Sequence, residues 1–96
     1  MITNVGKISA IQDQIITING RGFENLAPYN GTSNFIEISD VTGGWDAGHS
    51  ASNGETANGV LLNVTQWTDN QILISGFMGK YGNFSLHVGD NLLIKV

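Results

Sequence analysis

Cysteine is absent from these 96 residues, which excludes disulfides and thiolate metal sites. Basic residues are scarce: four Lys and Arg stand against eight Asp and Glu, for a formal net charge of −4. With no basic patch to neutralise phosphates, nucleic acid is discounted as a partner and anionic membrane surfaces are disfavoured. No apolar run approaches the ~18 residues that a membrane-spanning helix requires, and no charged-then-apolar leader opens the sequence. Only two histidines are present, His49 and His87, too few for a zinc site without cysteine. A nucleophile elbow of the Gly-x-Ser-x-Gly type is missing too, so no acyl-transfer machinery is visible. Both histidines are expected to be structural or solvent-exposed.

Helical periodicity is weak throughout. Short apolar or alternating runs recur instead, separated by clusters of Gly, Asn, Asp and Ser, the pattern of an all-β domain. Strands are predicted near Ile2 to Ile8, Gln14 to Asn19, Asn34 to Ser39, Val60 to Gln66, Gln71 to Ser75, Phe84 to Val88 and Asn91 to Val96. Ninety-six residues make one domain with a single core, spanning 1–96. Gly, Asn, Thr and Ser outweigh Lys and Glu, a composition suited to a secreted or cell-surface β-domain, and cysteine-free domains of that kind are common in bacteria. Three N-glycosylation-type triplets, at Asn30, Asn63 and Asn83, carry little weight in a chain so rich in Asn and Thr.

The segment Gln14-Ile-Ile-Thr-Ile-Asn-Gly-Arg-Gly-Phe23 carries the clearest instruction. Alternation sends Ile16 and Ile18 to a core and Thr17 and Asn19 to water. The two glycines then supply backbone angles that residues with a Cβ resist. Thr68-Asp69-Asn70 reads as a turn between two apolar runs, because Asp and Asn bond their own backbone; Gly89-Asp90-Asn91 has similar chemistry. The expected core is Ile8, Ile16, Ile18, Phe23, Phe35, Leu62, Val64, Ile72, Ile74, Leu92 and Ile94, with Phe77 and Phe84 assigned mainly to it as well. Val41 to Gly59 stands apart as a Gly-rich stretch with no predicted core strand. A loop of such length carries function or is pinned by an anchor.

Ile15-Ile-Thr-Ile-Asn-Gly-Arg-Gly-Phe23 resembles the hallmark of the IPT/TIG group of immunoglobulin-like domains, in which an apolar strand ends in Gly-x-Gly-Phe. Val64-Thr-Gln-Trp-Thr-Asp-Asn-Gln-Ile-Leu-Ile74 resembles a later strand of that family, and Gly89-Asp-Asn-Leu-Leu-Ile-Lys-Val96 is similar to its penultimate one. The resemblance implies an antiparallel immunoglobulin-like β-sandwich of about seven strands. It also implies a non-catalytic module of the kind appended to secreted bacterial enzymes and surface proteins. Such a domain normally has one more strand after the position of Val96. Either the sequence stops short of it, the strand order differs, or the strand comes from elsewhere. An open apolar sheet edge invites strand exchange, so a strand donated by another chain would complete the sheet.

The remaining chemistry lies in acids and aromatics. Asp13, Glu24, Glu37, Asp40, Asp46, Glu55, Asp69 and Asp90 mostly neighbour Gly, Asn or Thr, as turn-forming acids do. Glu37 takes the outward face of its run by alternation. A pair of opposed glycosidase carboxylates is therefore not expected. Asp40, Asp46 and Glu55, with Asn53 and Asn58 beside them, could wrap a calcium ion, although EF-hand spacing is absent and loop acids are usually just solvated. For sugar binding, an indole or phenol ring would stack on a pyranose while Asn, Asp and Gln bond its hydroxyls. Trp45, followed by Asp46, leads the candidates, with Tyr29, Tyr81 and Trp67 after it; each ring could equally be a loop anchor or a packing residue.

The expectation is thus a non-enzymatic accessory module without an obligatory cofactor. Its partner is a polysaccharide or another extracellular surface. The rival reading is a spacer or self-assembling domain completed through its open edge by a strand from another chain.

Overall fold

The computed structural model describes residues 2–25, 29–31, 36–50, 54–55 and 59–96, with the backbone alone for 29–31, 49–50 and 54–55. The chain is all-β. Its strands are β1 (Ile2–Val5), β2 (Ile15–Gly20), β3 (Tyr29–Gly31), β4 (Glu37–Asp40), β5 (Trp45–Ser50), β6 (Gly54–Glu55), β7 (Val60–Trp67), β8 (Gln71–Gly79) and β9 (Leu92–Lys95). The one helical turn among the described residues is a 3-10 turn at Tyr81–Asn83.

Seven strands follow one another across a curled half-barrel in the order β1-β2-β8-β7-β5-β4-β9, with β3 alongside β7 and β6 alongside β5. Neighbours are antiparallel with one exception. β5 and β7 meet in parallel through a single bridge, Ala47 to Val60, so the expectation of a wholly antiparallel arrangement is corrected there. That bridge joins an antiparallel group, β1-β2-β8-β7, to a second one, β5-β4-β9.

Alternation explains why the sheet curls around one core. Ile16 and Ile18 of β2, Ile38 of β4, Leu62 and Val64 of β7, and Ile72 and Ile74 of β8 point inward and are buried. Side chains of this kind each contribute about 1.5–3 kcal/mol on burial. Thr68 closes the turn between β7 and β8 as expected: its amide donates to the Gln71 carbonyl at 2.8 Å and its Oγ1 accepts the Gln71 amide at 3.1 Å. Glu37 is half-buried between the buried Ile36 and Ile38, in keeping with its outward assignment.

Several expectations change. The stretch expected to be a strandless loop contains β5, the inner member of a hairpin with β4, and the short β6. Strand propensity gives no sign of β5, because Trp45-Asp-Ala-Gly-His-Ser50 is mostly small and polar. Its small residues are what the site requires. Gly48 is buried at φ +91°, and a Cβ there would collide with the Ile36 carbonyl oxygen. Phe84 to Val88 is not a strand; after the 3-10 turn it runs as irregular chain, with Leu86 buried. Of the expected core, Ile8, Leu92 and Ile94 are only half-buried, and Phe35 lies outside the described residues. Phe77 is buried as expected and Phe84 is only half-buried, while Ile36, Ile38, Trp45, Ala47, Val60, Trp67, Tyr81 and Leu86 complete the core.

Candidate functional site

The aromatic residues nominated for sugar stacking are mostly inside the protein. Trp45 opens β5 with its ring 3% exposed and packs edge-on against Phe77 (centroids 6.2 Å apart) and Tyr81 (6.0 Å). Phe84 lies tilted against the same indole at 6.4 Å, and Phe77 stacks on Tyr81 at 4.9 Å. The Tyr81 hydroxyl accepts the Leu86 amide at 3.2 Å, which fixes the chain after the 3-10 turn. Trp45 and Tyr81 are therefore anchors, and neither offers a face to a pyranose. Tyr29 sits on β3, and its side chain lies outside the described residues.

Trp67 has a different duty. Its indole N–H donates to the Phe23 carbonyl at 2.9 Å from a buried position. Around it, the Gly-x-Gly-Phe turn and the Thr68–Asn70 turn grip each other. The Gly20 amide donates to the Asn70 carbonyl and the Phe23 amide to the Asp69 carbonyl, both at 3.0 Å. The Glu24 amide donates to Asp69 Oδ1 at 3.1 Å, and the Asp69 amide to Asn25 Oδ1 at 2.9 Å. Of the two glycines, Gly22, at φ +78°, provides the left-handed step expected of this turn, whereas Gly20 ends β2 without one. Two sequence motifs more than forty positions apart are thus the halves of one clasp, and Trp67 is its pin rather than a ligand platform.

The acids named for calcium do not assemble into one visible site. Among the described residues no group of three or more His, Cys, Asp or Glu side chains is placed to hold a metal ion. Asp40 is 1% exposed at the end of β4, Asp46 is half-buried opposite Ser39, and the Glu55 side chain lies outside the described residues. His87 is 80% exposed, with Nδ1 4.0 Å from Asp90 Oδ2.

The surface feature that sequence reasoning could not place lies between the two ends of the sheet. β1 and β9 terminate the strand order, and each pairs on one side only among the described residues. Between these edges runs a groove of about 540 Å³, whose apolar lining comes from Ile2, Val5 and Ile8 on one wall and Leu92, Leu93 and Ile94 on the other. It continues into a second hollow of about 280 Å³ bounded by Lys7 to Ala10 and Leu86 to Asp90. A separate cleft of about 490 Å³ is mainly polar, lined by Thr3, Asn19, Gln66, Asn70 and Gln71 among others. Its amides bond one another, as in the 3.2 Å contact from Gln71 Nε2 to Asn19 Oδ1.

No family model, curated protein or solved structure matches the chain.

Proposed function

We propose that this domain is a non-catalytic β-module that accepts a β-strand from a partner chain into the groove between β1 and β9. The observation that carries this reading is the joint placement of two sheet edges, each paired on one side only among the described residues, on either side of one groove with a partly apolar lining. Backbone N–H and C=O groups along such edges bond an added strand, and the groove takes its alternate side chains. Four residues of β1 and four of β9 give each wall about 13 Å of ladder, enough to pair a segment of about four residues along its length.

The edges carry few of the devices that discourage such pairing. β1 has no charged residue, only an irregular register between Ile2 and Asn4, and β9 carries one charge, Lys95. Leu92 and Ile94 are half-buried while Leu93 is 47% exposed. An inserted strand with apolar residues at alternate positions would cover these groups. One added strand between β9 and β1 would bring the half-barrel closer to the immunoglobulin-like, IPT/TIG-type sandwich that the sequence resembles. A secreted or cell-surface setting fits this composition. The glycan reading has weaker support, because Trp45, Trp67 and Tyr81 are all buried.

The test is titration of a fluorescent peptide of alternating valine and threonine, beside a control with proline at every second position, and a panel of polysaccharides. Saturable binding of the first peptide alone supports the strand acceptor. Retention on a polysaccharide, with neither peptide bound, would overturn it in favour of a glycan module.

A further inference from the structure

Two carboxyl groups meet where the β4–β5 turn abuts the chain entering β9. Asp40 Oδ1 accepts the Gly43 amide at 2.8 Å, and the Asp40 carbonyl accepts the Gly44 amide at 2.8 Å. Its other carboxyl oxygen, Oδ2, is buried with no hydrogen-bond donor. Asp90 comes from the opposite side, its side chain 10% exposed and its Oδ2 accepting the His87 amide at 3.1 Å. The two segments are tied by their backbones as well. The Val41 amide donates to the Asn91 carbonyl at 2.8 Å, and the Asn91 amide to Thr42 Oγ1 at 2.9 Å.

A buried carboxylate oxygen without a donor is costly, whereas a carboxylic O–H in its place can donate to a neighbouring carboxylate. We propose that Asp40 and Asp90 share one proton, forming a pH-dependent clasp that fastens the start of β9 to the β4–β5 turn. Asp90 lines the groove as well, but the clasp is built from the domain's own residues and needs no inserted strand. Burial first, and then the hydrogen bond to Asp90, push the Asp40 carboxyl above its ordinary value of 3.8. The hydrogen bond from Asp40 is the main cause that holds Asp90 below the same value.

The other charged groups nearby are His87, 4.0 Å from Asp90, and Lys7 on the facing wall of the same hollow. Further along the strands, Asp46 lies opposite Ser39 and Glu37 opposite Lys95. None of these takes the place of a donor to the buried Asp40 oxygen.

The sign follows from linkage. In the unfolded chain both acids titrate near 3.8, while the folded pair keeps one proton on both sides of that value. The contribution of Asp40 is full below 3.8 and is lost as pH rises through its raised pKa. That of Asp90 is present above 3.8 and is lost as pH falls through its lowered one. The clasp is therefore strongest in mildly acidic solution and loosens toward neutral and alkaline pH.

The experiment is thermal unfolding of the wild type and Asp40→Asn from pH 3 to pH 8, each with calcium chloride and with EDTA. Asparagine keeps the acceptor for Gly43 and supplies a donor that cannot ionise. The variant should lose the alkaline arm of the profile and melt about 4–8 °C above the wild type at pH 8, a shift equivalent to one ordinary interaction in a domain of this size. Parallel profiles, or a lower midpoint at pH 8, would overturn the proposal. So would a calcium-dependent rise in the wild type that Asp40→Asn abolishes, because a cation would then sit where the proton is placed. Should the variant fail to fold, carboxyl-carbon NMR titration of the wild type decides. A step above the ordinary aspartate range at Asp40 supports the shared proton, and ordinary titration of both acids refutes it.

Discussion

Replacing Trp45 with alanine separates an anchor from a platform. The indole is 3% exposed and meets three other rings, Phe77, Tyr81 and Phe84, at centroid distances of 6.0–6.4 Å. Truncating a buried Trp to Ala costs about 3–5 kcal/mol, because transfer energy is lost and a cavity is left. Edge-on and tilted ring contacts, each worth about 0.5–1.5 kcal/mol beyond burial, place Trp45 toward the upper part of that range. The whole stability of a 96-residue domain is on the order of 5–14 kcal/mol, so this one side chain holds a third or more of it. At about 4–8 °C per kcal/mol, a loss of about 4–5 kcal/mol should lower the midpoint by about 16–40 °C. Urea unfolding followed by circular dichroism and by the emission of the remaining Trp67 measures the loss directly. A change below about 1 kcal/mol would refute the reasoning and return Trp45 to the surface as a ligand contact.

Three further substitutions test separate parts of the fold. Trp67→Phe keeps an aromatic ring but removes the donor to the Phe23 carbonyl, and should cost about 1–3 kcal/mol in urea unfolding. Gly48→Ala should lower stability by more than about 1 kcal/mol, since the φ of +91° and the Ile36 carbonyl both oppose a Cβ. A neutral result in a melting curve would mean that β4 and β5 sit farther apart than described. Ile18→Asp places a charge at a fully buried position and should leave the chain unfolded by circular dichroism. A folded, soluble variant would contradict the register of β2 against β8.

The parts of the fold legible in the sequence are those that alternation and local turn chemistry encode. β2, β7 and β8 owe their place to period-two runs of Ile, Leu and Val, and the Thr68–Asn70 turn owes its place to side chains that bond the neighbouring backbone. β5 has no such signature, because its inclusion depends on tertiary fit. Ala47 and Gly48 are small where β4 and β7 approach, and only Trp45 contributes a large apolar group. Phe84 to Val88 is the opposite case. An alternating run there is turned into a loop by the 3-10 turn that precedes it and by the bond from the Leu86 amide to the Tyr81 hydroxyl. Trp45 and Trp67 resemble ligand contacts in sequence because flanking glycines and turn residues suggest exposure, yet each is the apolar pin of a polar turn. The Asp40–Asp90 pair and the β1–β9 groove join residues from distant parts of the chain, so neither has a local signature.

The most direct measurement of the strand-acceptor account is residue-resolved amide hydrogen exchange, with and without a saturating peptide of alternating valine and threonine. The account predicts slower exchange at the outward amides of both Ile2–Val5 and Leu92–Lys95, with little change in the already paired interior of β2 and β8. Unchanged exchange at both edges, or protection confined to another surface such as the polar cleft around Asn19 and Gln71, would contradict it.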